Sequence, residues 1–262
     1  MNQPLSYIHP QAKLADNVVV EPFVTISKNV EIGEGTWLGP NVTILENARI
    51  GKNCKIFPGA VISAIPQDLK YAGEETWTVI GDHTTIRECA TINRGTNHSK
   101  ETVVGEHCLL MAYTHVAHDC RVGNHVVMAN NASLAGHCTL DDYVILGGGT
   151  GVQQFTHIGA HAYVSGLAMV RKDIPPFIKT AREPLSYAGV NSVGLRRRGF
   201  SSEEINHIQD IYRILFVQGY STSKAIRLIE AELPATALRD QILNFIRNSK
   251  QGILKGFFQK GL

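Results

Sequence analysis

Aliphatic residues recur at every sixth position over most of the chain, a period that belongs neither to a helix nor to an ordinary alternating strand. Counting in sixes from Ile8 gives Ile8, Leu14, Val20, Ile26, Ile32, Leu38, Ile44, Ile50, Ile56 and Ile62, ten hits without a miss. Leu, Ile, Val and Met make up about a quarter to a third of ordinary chains, so such a run arises by chance on the order of once in 10^5 trials or less. The register is lost at Asp68 and Glu74, resumes at Ile80, Ile86 and Ile92, skips His98, and continues from Val104 through Met128 and Leu146 to Val170, for 25 aliphatic positions.

Two further columns follow the same period. The residue four places on is small or β-branched, as in Ala12, Thr36, Ala48, Cys54, Ala90, Cys108, Cys120, Ala132, Cys138 and Ala168. The residue just after the aliphatic one is often glycine, as at Gly33, Gly51, Gly81, Gly105, Gly123 and Gly147, which suggests a bend needing unusual backbone angles. An inward aliphatic residue, a corner and a small inward residue describe a short strand turning about a narrow prism. Three hexads make a triangular coil of 18 residues, and coils stack as parallel strands. Four of the five cysteines fall in the small inward column, and none has CxxC spacing, so buried thiols are expected rather than a disulfide framework.

The hexad stops after Val170, and Asp173-Ile174-Pro175-Pro176 breaks the chain. Ser201-x-x-Glu204 has the form of a capping box, and Ile205, Ile208, Ile211, Tyr212, Leu215 and Phe216 follow at helical spacing. Further helices are expected near Ser223–Leu233 and Thr236–Asn248, their apolar faces capping the open end of the solenoid. The expected division is a solenoid over 1–174, with inserted loops near 63–79 and 97–103, then a linker and helical domain over 175–262.

A net charge of +2 hides an asymmetry. Residues 1–170 carry 10 Lys and Arg against 15 Asp and Glu, whereas 171–262 carry 15 against 8. The basic end suits an acidic or phosphate-bearing partner, with Arg213, Lys224, Arg227, Arg239, Arg247 and Lys250 as candidate contacts. No apolar run approaches the ~20 residues of a membrane span, and Met1-Asn2-Gln3-Pro4 lacks the regions of a signal peptide. A cytoplasmic protein without a membrane span is expected.

Residues 18 apart should stack, so His118 lies one coil below Gly136, Asp119 below His137, and Gly136 below Gln154, with His115 near the same corner. Three histidines at one solenoid edge admit three readings: polar corners of an interface, a zinc site of imidazoles, or a general base oriented by a neighbouring acid. Spacing alone leaves all three open.

The period resembles that of the hexapeptide-repeat transferases, whose fold is a left-handed parallel β-helix; the left hand is implied by the resemblance, since crossovers elsewhere are almost always right-handed. Within them, Leu109–Asn124, which contains His115-Val116-Ala117-His118-Asp119, looks like the UDP-N-acetylglucosamine 3-O-acyltransferases that open lipid A synthesis. So do Ala129–His137, Gln67–Glu74, Gly189-Val190-Asn191 and Arg197-Arg198-Gly199-Phe200.

That resemblance implies His118 as catalytic base, Asp119 as its orienting acid, and the Gly136 N–H as oxyanion donor. It implies sugar contacts from His115 and His137, and Gln67, Asp68 and Lys70 reaching the substrate from a neighbouring subunit. It also implies Gln154, Asn191, Arg197 and Arg198 on the nucleotide side, where guanidinium groups suit phosphate. Gly166 matches a position that sets acyl length, and glycine there implies a long chain unless Met111 or Met169 closes the groove. Gln153 and Val193 depart from the family, which often has His and a carboxylate there. The implied partners are UDP-N-acetylglucosamine, (R)-3-hydroxyacyl-acyl carrier protein and two further copies in a homotrimer, with no cofactor, no metal and no nucleic acid. A related N-acyltransferase and a zinc-dependent carbonic anhydrase-like protein are the competing functions; a non-catalytic scaffold leaves the histidine and arginine blocks unexplained.

Overall fold

The computed structural model describes residues 5–256; Met1-Asn2-Gln3-Pro4 and the last six residues of the tail lie outside the described residues. From Tyr7–Ile8 to Met169–Val170 the chain forms 25 short strands, each carrying one aliphatic residue of the hexad. The strands fall into three parallel sheets, and each pairs with the strand three further along, which is one coil of a parallel β-helix. Val116 pairs with Leu134 and Val122 with Leu140, so like stacks on like at a spacing of 18. Ile26, Ile44, Ile62, Ile92, Leu110, Met128 and Leu146 are fully buried along the axis. Cys54, Cys108, Cys120 and Cys138 are buried beside them while Cys89 is exposed.

The register survives its interruptions because whole hexads leave the prism. Ile62 pairs with Ile92 and Ile80 with Val104, each pair bridging an excursion. The polar residues at the vacated positions, Asp68, Glu74 and His98, stand on those excursions instead of inside.

The corner glycines differ from expectation. Gly33, Gly51, Gly81, Gly105, Gly123 and Gly147 do not adopt positive φ; that conformation belongs to the third residue after most of the aliphatic ones, including Asn29, Asn53, His107, Asp119, Asn131, His137 and Tyr143. The glycines are needed for close stacking: a Cβ on Gly105 would lie 2.6 Å from the Gly123 carbonyl oxygen.

The end of the prism also differs. Strand Ile178–Ala181 continues one sheet in parallel with Tyr163–Val164, and Ser186–Val190 returns antiparallel against it. This hairpin covers the last coil, and four helices follow it, the second of them packed on its Ser186–Val190 strand. They are α1 (Ser192–Arg197), α2 (Ser202–Tyr212), α3 (Thr222–Glu232) and α4 (Ala237–Asn248). Helix α2 carries the capping box, with Glu204 N donating to Ser201 Oγ at 3.1 Å and Ser201 N to the Glu204 carboxylate at 2.7 Å. It widens into a π-helical turn over Arg213–Val217. The Tyr212 hydroxyl donates to the Pro176 carbonyl at 2.6 Å, and its ring stacks with Tyr187 and Phe216. Among the described residues no helix is long and apolar enough to cross a membrane.

Candidate active site

His118 and Asp119 form the corner between strands His115–Val116 and Arg121–Val122. Both are buried, at 4% and 5% exposure. His118 Nδ1 lies 2.7 Å from Asp119 Oδ2. Asp119 also accepts hydrogen bonds from Thr96 N, Thr96 Oγ1, Ser99 N and Ser99 Oγ, at 3.0, 2.7, 3.1 and 2.6 Å. Burial alone would raise its carboxyl, but the hydrogen bonds from Ser99, His118 and Thr96 outweigh that and hold it well below the ordinary range. An ionised carboxylate only accepts, so the proton between the two side chains belongs to Nδ1, and Nε2 carries the free lone pair.

Gly136 sits directly above. A Cβ there would lie 2.6 Å from His118 Cε1 and 2.7 Å from Nε2, so only glycine lets the coils stack at this spot. Among the described residues no acceptor takes the Gly136 N–H, a backbone donor on the coil above His118. His137 stacks above Asp119, its ring 5.0 Å from His118, 4.6 Å from His98 and 4.4 Å from Phe155. Burial lowers the pKa of His137, against the pull of Asp119, and lowers that of His115, where the neighbouring His118 adds to the effect. His115 Nδ1 is 2.8 Å from Thr91 Oγ1.

Asp68 reaches the same corner from its own chain, with Oδ2 4.0 Å from His118 Nε2. The resemblance implies an approach of this loop to a neighbouring subunit's substrate; within one chain, Asp68 stands at its own His118 corner. Gln67 and Lys70 flank Asp68 and are exposed. Gln154 caps the column above Gly136 and is exposed, as is Gln153 beside it.

The remaining candidates stand elsewhere. Asn191 caps α1, donating to the His161 carbonyl at 2.9 Å and accepting from Gly194 N. Arg198 lies over the Tyr143 ring and donates to the Tyr143 carbonyl at 3.4 Å. Tyr143 and His161 belong to the next corner of the prism, so Asn191 and Arg198 are not brought to His118 within one chain; Arg197 is exposed on α1 near them, as is Val193. Gly166 occupies the third corner, at the far edge of the sheet that carries His115. Of the basic tail residues, Arg213, Arg239 and Arg247 are paired with Asp210, Asp240 and Glu230. Lys224 lies over the Tyr220 ring, and Arg227 and Lys250 are exposed.

Donor atoms of His118, Asp119 and His137 lie within 4.8 Å of one another, close enough to be weighed as a metal cluster. The Asp119 oxygens are already taken by five hydrogen bonds, a donor set that suits an orienting acid better than a metal ligand. A cleft of about 420 Å³ opens beside the histidines and runs past Arg121 and His157 to Asn248, Lys250 and Gln251. Sequence reasoning missed Thr96, Ser99 and His98; the signal available for them was the polar break in the hexad at His98.

Comparison with known proteins agrees with this geometry. A family model described as Udp N-acetylglucosamine O-acyltransferase, Domain 2, matches residues 173–254, and one described as Bacterial transferase hexapeptide (six repeats) matches 101–136. A GMPPB C-terminal domain model matches residues 2–112. An acyl-(acyl-carrier-protein)–UDP-N-acetylglucosamine O-acyltransferase of Thiobacillus denitrificans is 42% identical, covering 96% of this chain and 98% of that protein. The protein of the same name from Janthinobacterium sp. is 44% identical over the same shares. The crystal structure of a UDP-N-acetylglucosamine acyltransferase from Bacteroides fragilis 9343 is 46% identical, superposes with a TM-score of 0.95, and covers 97% of this chain and 100% of its own. An Arabidopsis UDP-N-acetylglucosamine acyltransferase structure, 31% identical, gives a TM-score of 0.86 while covering 97% of this chain and 100% of its own. Matched by relatives of 42–46% identity across nearly its full length, the chain belongs to the acyl-(acyl-carrier-protein)–UDP-N-acetylglucosamine O-acyltransferase family.

Proposed function

We propose that this chain moves an (R)-3-hydroxyacyl group from acyl carrier protein to the glucosamine 3-hydroxyl of UDP-N-acetylglucosamine, the step that opens lipid A synthesis. The observation that carries the reading is the His118–Asp119 pair with its free Nε2, and the unpaired Gly136 N–H on the coil above. His118 Nε2 takes the proton from the sugar hydroxyl as its oxygen attacks the thioester carbonyl. The Gly136 N–H donates to the oxyanion of the tetrahedral intermediate. As the intermediate collapses, the C–S bond breaks and His118 returns the proton to the departing thiolate. The route needs neither a cofactor nor a covalent enzyme intermediate.

His115, His137, Gln67, Asp68 and Lys70 are the proposed sugar contacts, with Gln154, Asn191, Arg197 and Arg198 on the nucleotide. The latter set requires another copy, because Asn191 and Arg198 stand at a different corner from His118. A homotrimer with its axis along the prisms sets one copy's His118 corner against another's Arg198 corner. The outward column of one sheet is apolar from Leu109 through Val127 and Ile145 to Tyr163, beyond Lys55 and Thr85, and this stretch supports such packing. Lys224, Arg227 and Lys250 remain as contacts for an acidic carrier protein, and both substrates are water-soluble, which suits work in the cytoplasm.

The test is transfer by the wild-type protein from carrier proteins of graded acyl length, with the product identified as the 3-O-acyl sugar nucleotide. A long chain is expected to be the best donor, and Gly166→Met to shift preference toward shorter ones. A Cβ at Gly166 meets the Gly148 carbonyl at 3.1 Å, so Gly166→Ala serves as the control for backbone strain. Absence of transfer with every donor contradicts the reading, and unchanged preference in Gly166→Met contradicts the role of that residue alone.

A further inference from the structure

The hexad that breaks at His98 leaves the prism as a loop over 94–100 and re-enters at strand Glu101–Val104. Three hydroxyl residues at three-residue spacing, Thr96 and Ser99 on the loop and Thr102 on the strand that follows it, converge on Asp119. Thr96 and Ser99 each give the carboxylate both a backbone N–H and a hydroxyl. Thr102 Oγ1 accepts from Asp119 N at 2.8 Å and is completely buried. Asp119 stands at φ 60°, the left-handed conformation that the same corner position takes in most coils, so its side chain leaves the prism in a fixed direction. Glu74, on the earlier excursion, accepts from Asn97 N at 3.2 Å and so ties the two loops together.

We propose that Thr96 and Ser99 are positioning residues that hold the Asp119 carboxylate immobile, so that His118 keeps a single tautomer with Nε2 free. A fixed histidine needs a fixed acid. Four of the five hydrogen bonds on the Asp119 carboxylate come from this loop: Oδ1 takes Thr96 N, Ser99 N and Ser99 Oγ, and Oδ2 is held between the Thr96 hydroxyl and the His118 Nδ1–H.

The titratable and charged groups around Asp119 are His118 and Cys120 on its own coil, His137 on the next, Asp68 beyond the His118 ring, and His98, Arg121, His157, Asp173 and Lys250 along the cleft. Burial disfavours a charge on Asp119, and the loop hydroxyls oppose that. Without them the carboxyl should take up a proton at higher pH, and the loss of function should grow as pH falls.

This inference deepens the acyltransferase reading and rests on it, so its test has one arm independent of turnover. Nitrogen-15 spectra of the full-length protein labelled at histidine report the His118 tautomer in the wild type, in Thr96→Val/Ser99→Ala and in the hydroxyl-preserving Ser99→Thr. The wild type and Ser99→Thr are expected to show only the Nδ1–H form, and the double variant a mixture. In transfer assays kcat/KM of the double variant should fall about tenfold near pH 8 and further toward pH 5, with Ser99→Thr within about twofold of wild type. A single tautomer in the double variant overturns the proposal, as does a rate loss that is equal at every pH and shared by Ser99→Thr. If the wild type transfers no acyl group, the acyltransferase reading fails while the tautomer spectra still decide the positioning role.

Discussion

His161 shows how a solenoid corner sets the chemistry of a single side chain. Its ring lies between Tyr143 at 4.8 Å and Phe177 at 5.6 Å, and burial, with the nearby charge of Arg198, pushes its pKa down to about 4. The unfolded chain takes up a proton near pH 6.5 that the folded imidazole refuses. Stability tied to His161 is therefore complete above about pH 6.5 and is lost as pH falls from there toward about 4. His161→Phe keeps the stack but has nothing to titrate. Urea midpoints measured near pH 7 and near pH 4.5 should fall less in this variant than in the wild type; an equal fall would show that the depressed imidazole contributes nothing.

Elements with local causes are the ones that sequence made legible. The capping box of α2 is one, because its two hydrogen bonds lie within four residues. Ser201→Ala should lower unfolding stability by about 1 kcal/mol in urea titration, and an unchanged midpoint would mean that packing on the hairpin alone holds α2. The hexad strands are another, since each coil repeats the same inward residue. The hairpin over 178–190 and helix α1 had no such signal; they form because the last coil offers an unpaired edge, a condition set by the whole prism. The corner glycines were assigned to the wrong cause for the same reason. Their need is the backbone of the next coil, 18 residues away, while the left-handed position falls to Asn, His, Tyr and Asp119.

At the scale of the molecule, stacking by 18 placed His118, Asp119, Gly136 and His137 together on paper, and the structure sets them at one corner. It could not show that Asp68 stands at its own chain's His118 corner, nor that Thr96 and Ser99 enclose the acid, because excursions from the prism have no period. The residues proposed for the nucleotide stand at a second corner and Gly166 at a third, so the proposed trimer would draw each site from more than one chain. Co-expressed His118→Ala and Arg198→Ala chains should therefore restore activity in mixed trimers, to about a quarter of wild-type sites if the chains assort at random. No recovery above the two variants alone would mean that each site is built within one chain.

The central claim is that His118 is the base for acyl transfer. Its most direct test compares wild type with His118→Ala at saturating UDP-N-acetylglucosamine and (R)-3-hydroxyacyl carrier protein, in buffer treated with chelator. Wild-type transfer should survive the chelator, and kcat should fall by about 10²–10⁴ in the variant with the KM for the sugar nucleotide little changed. Transfer by His118→Ala at the wild-type rate, or wild-type transfer abolished by chelation and restored by zinc, would contradict the account.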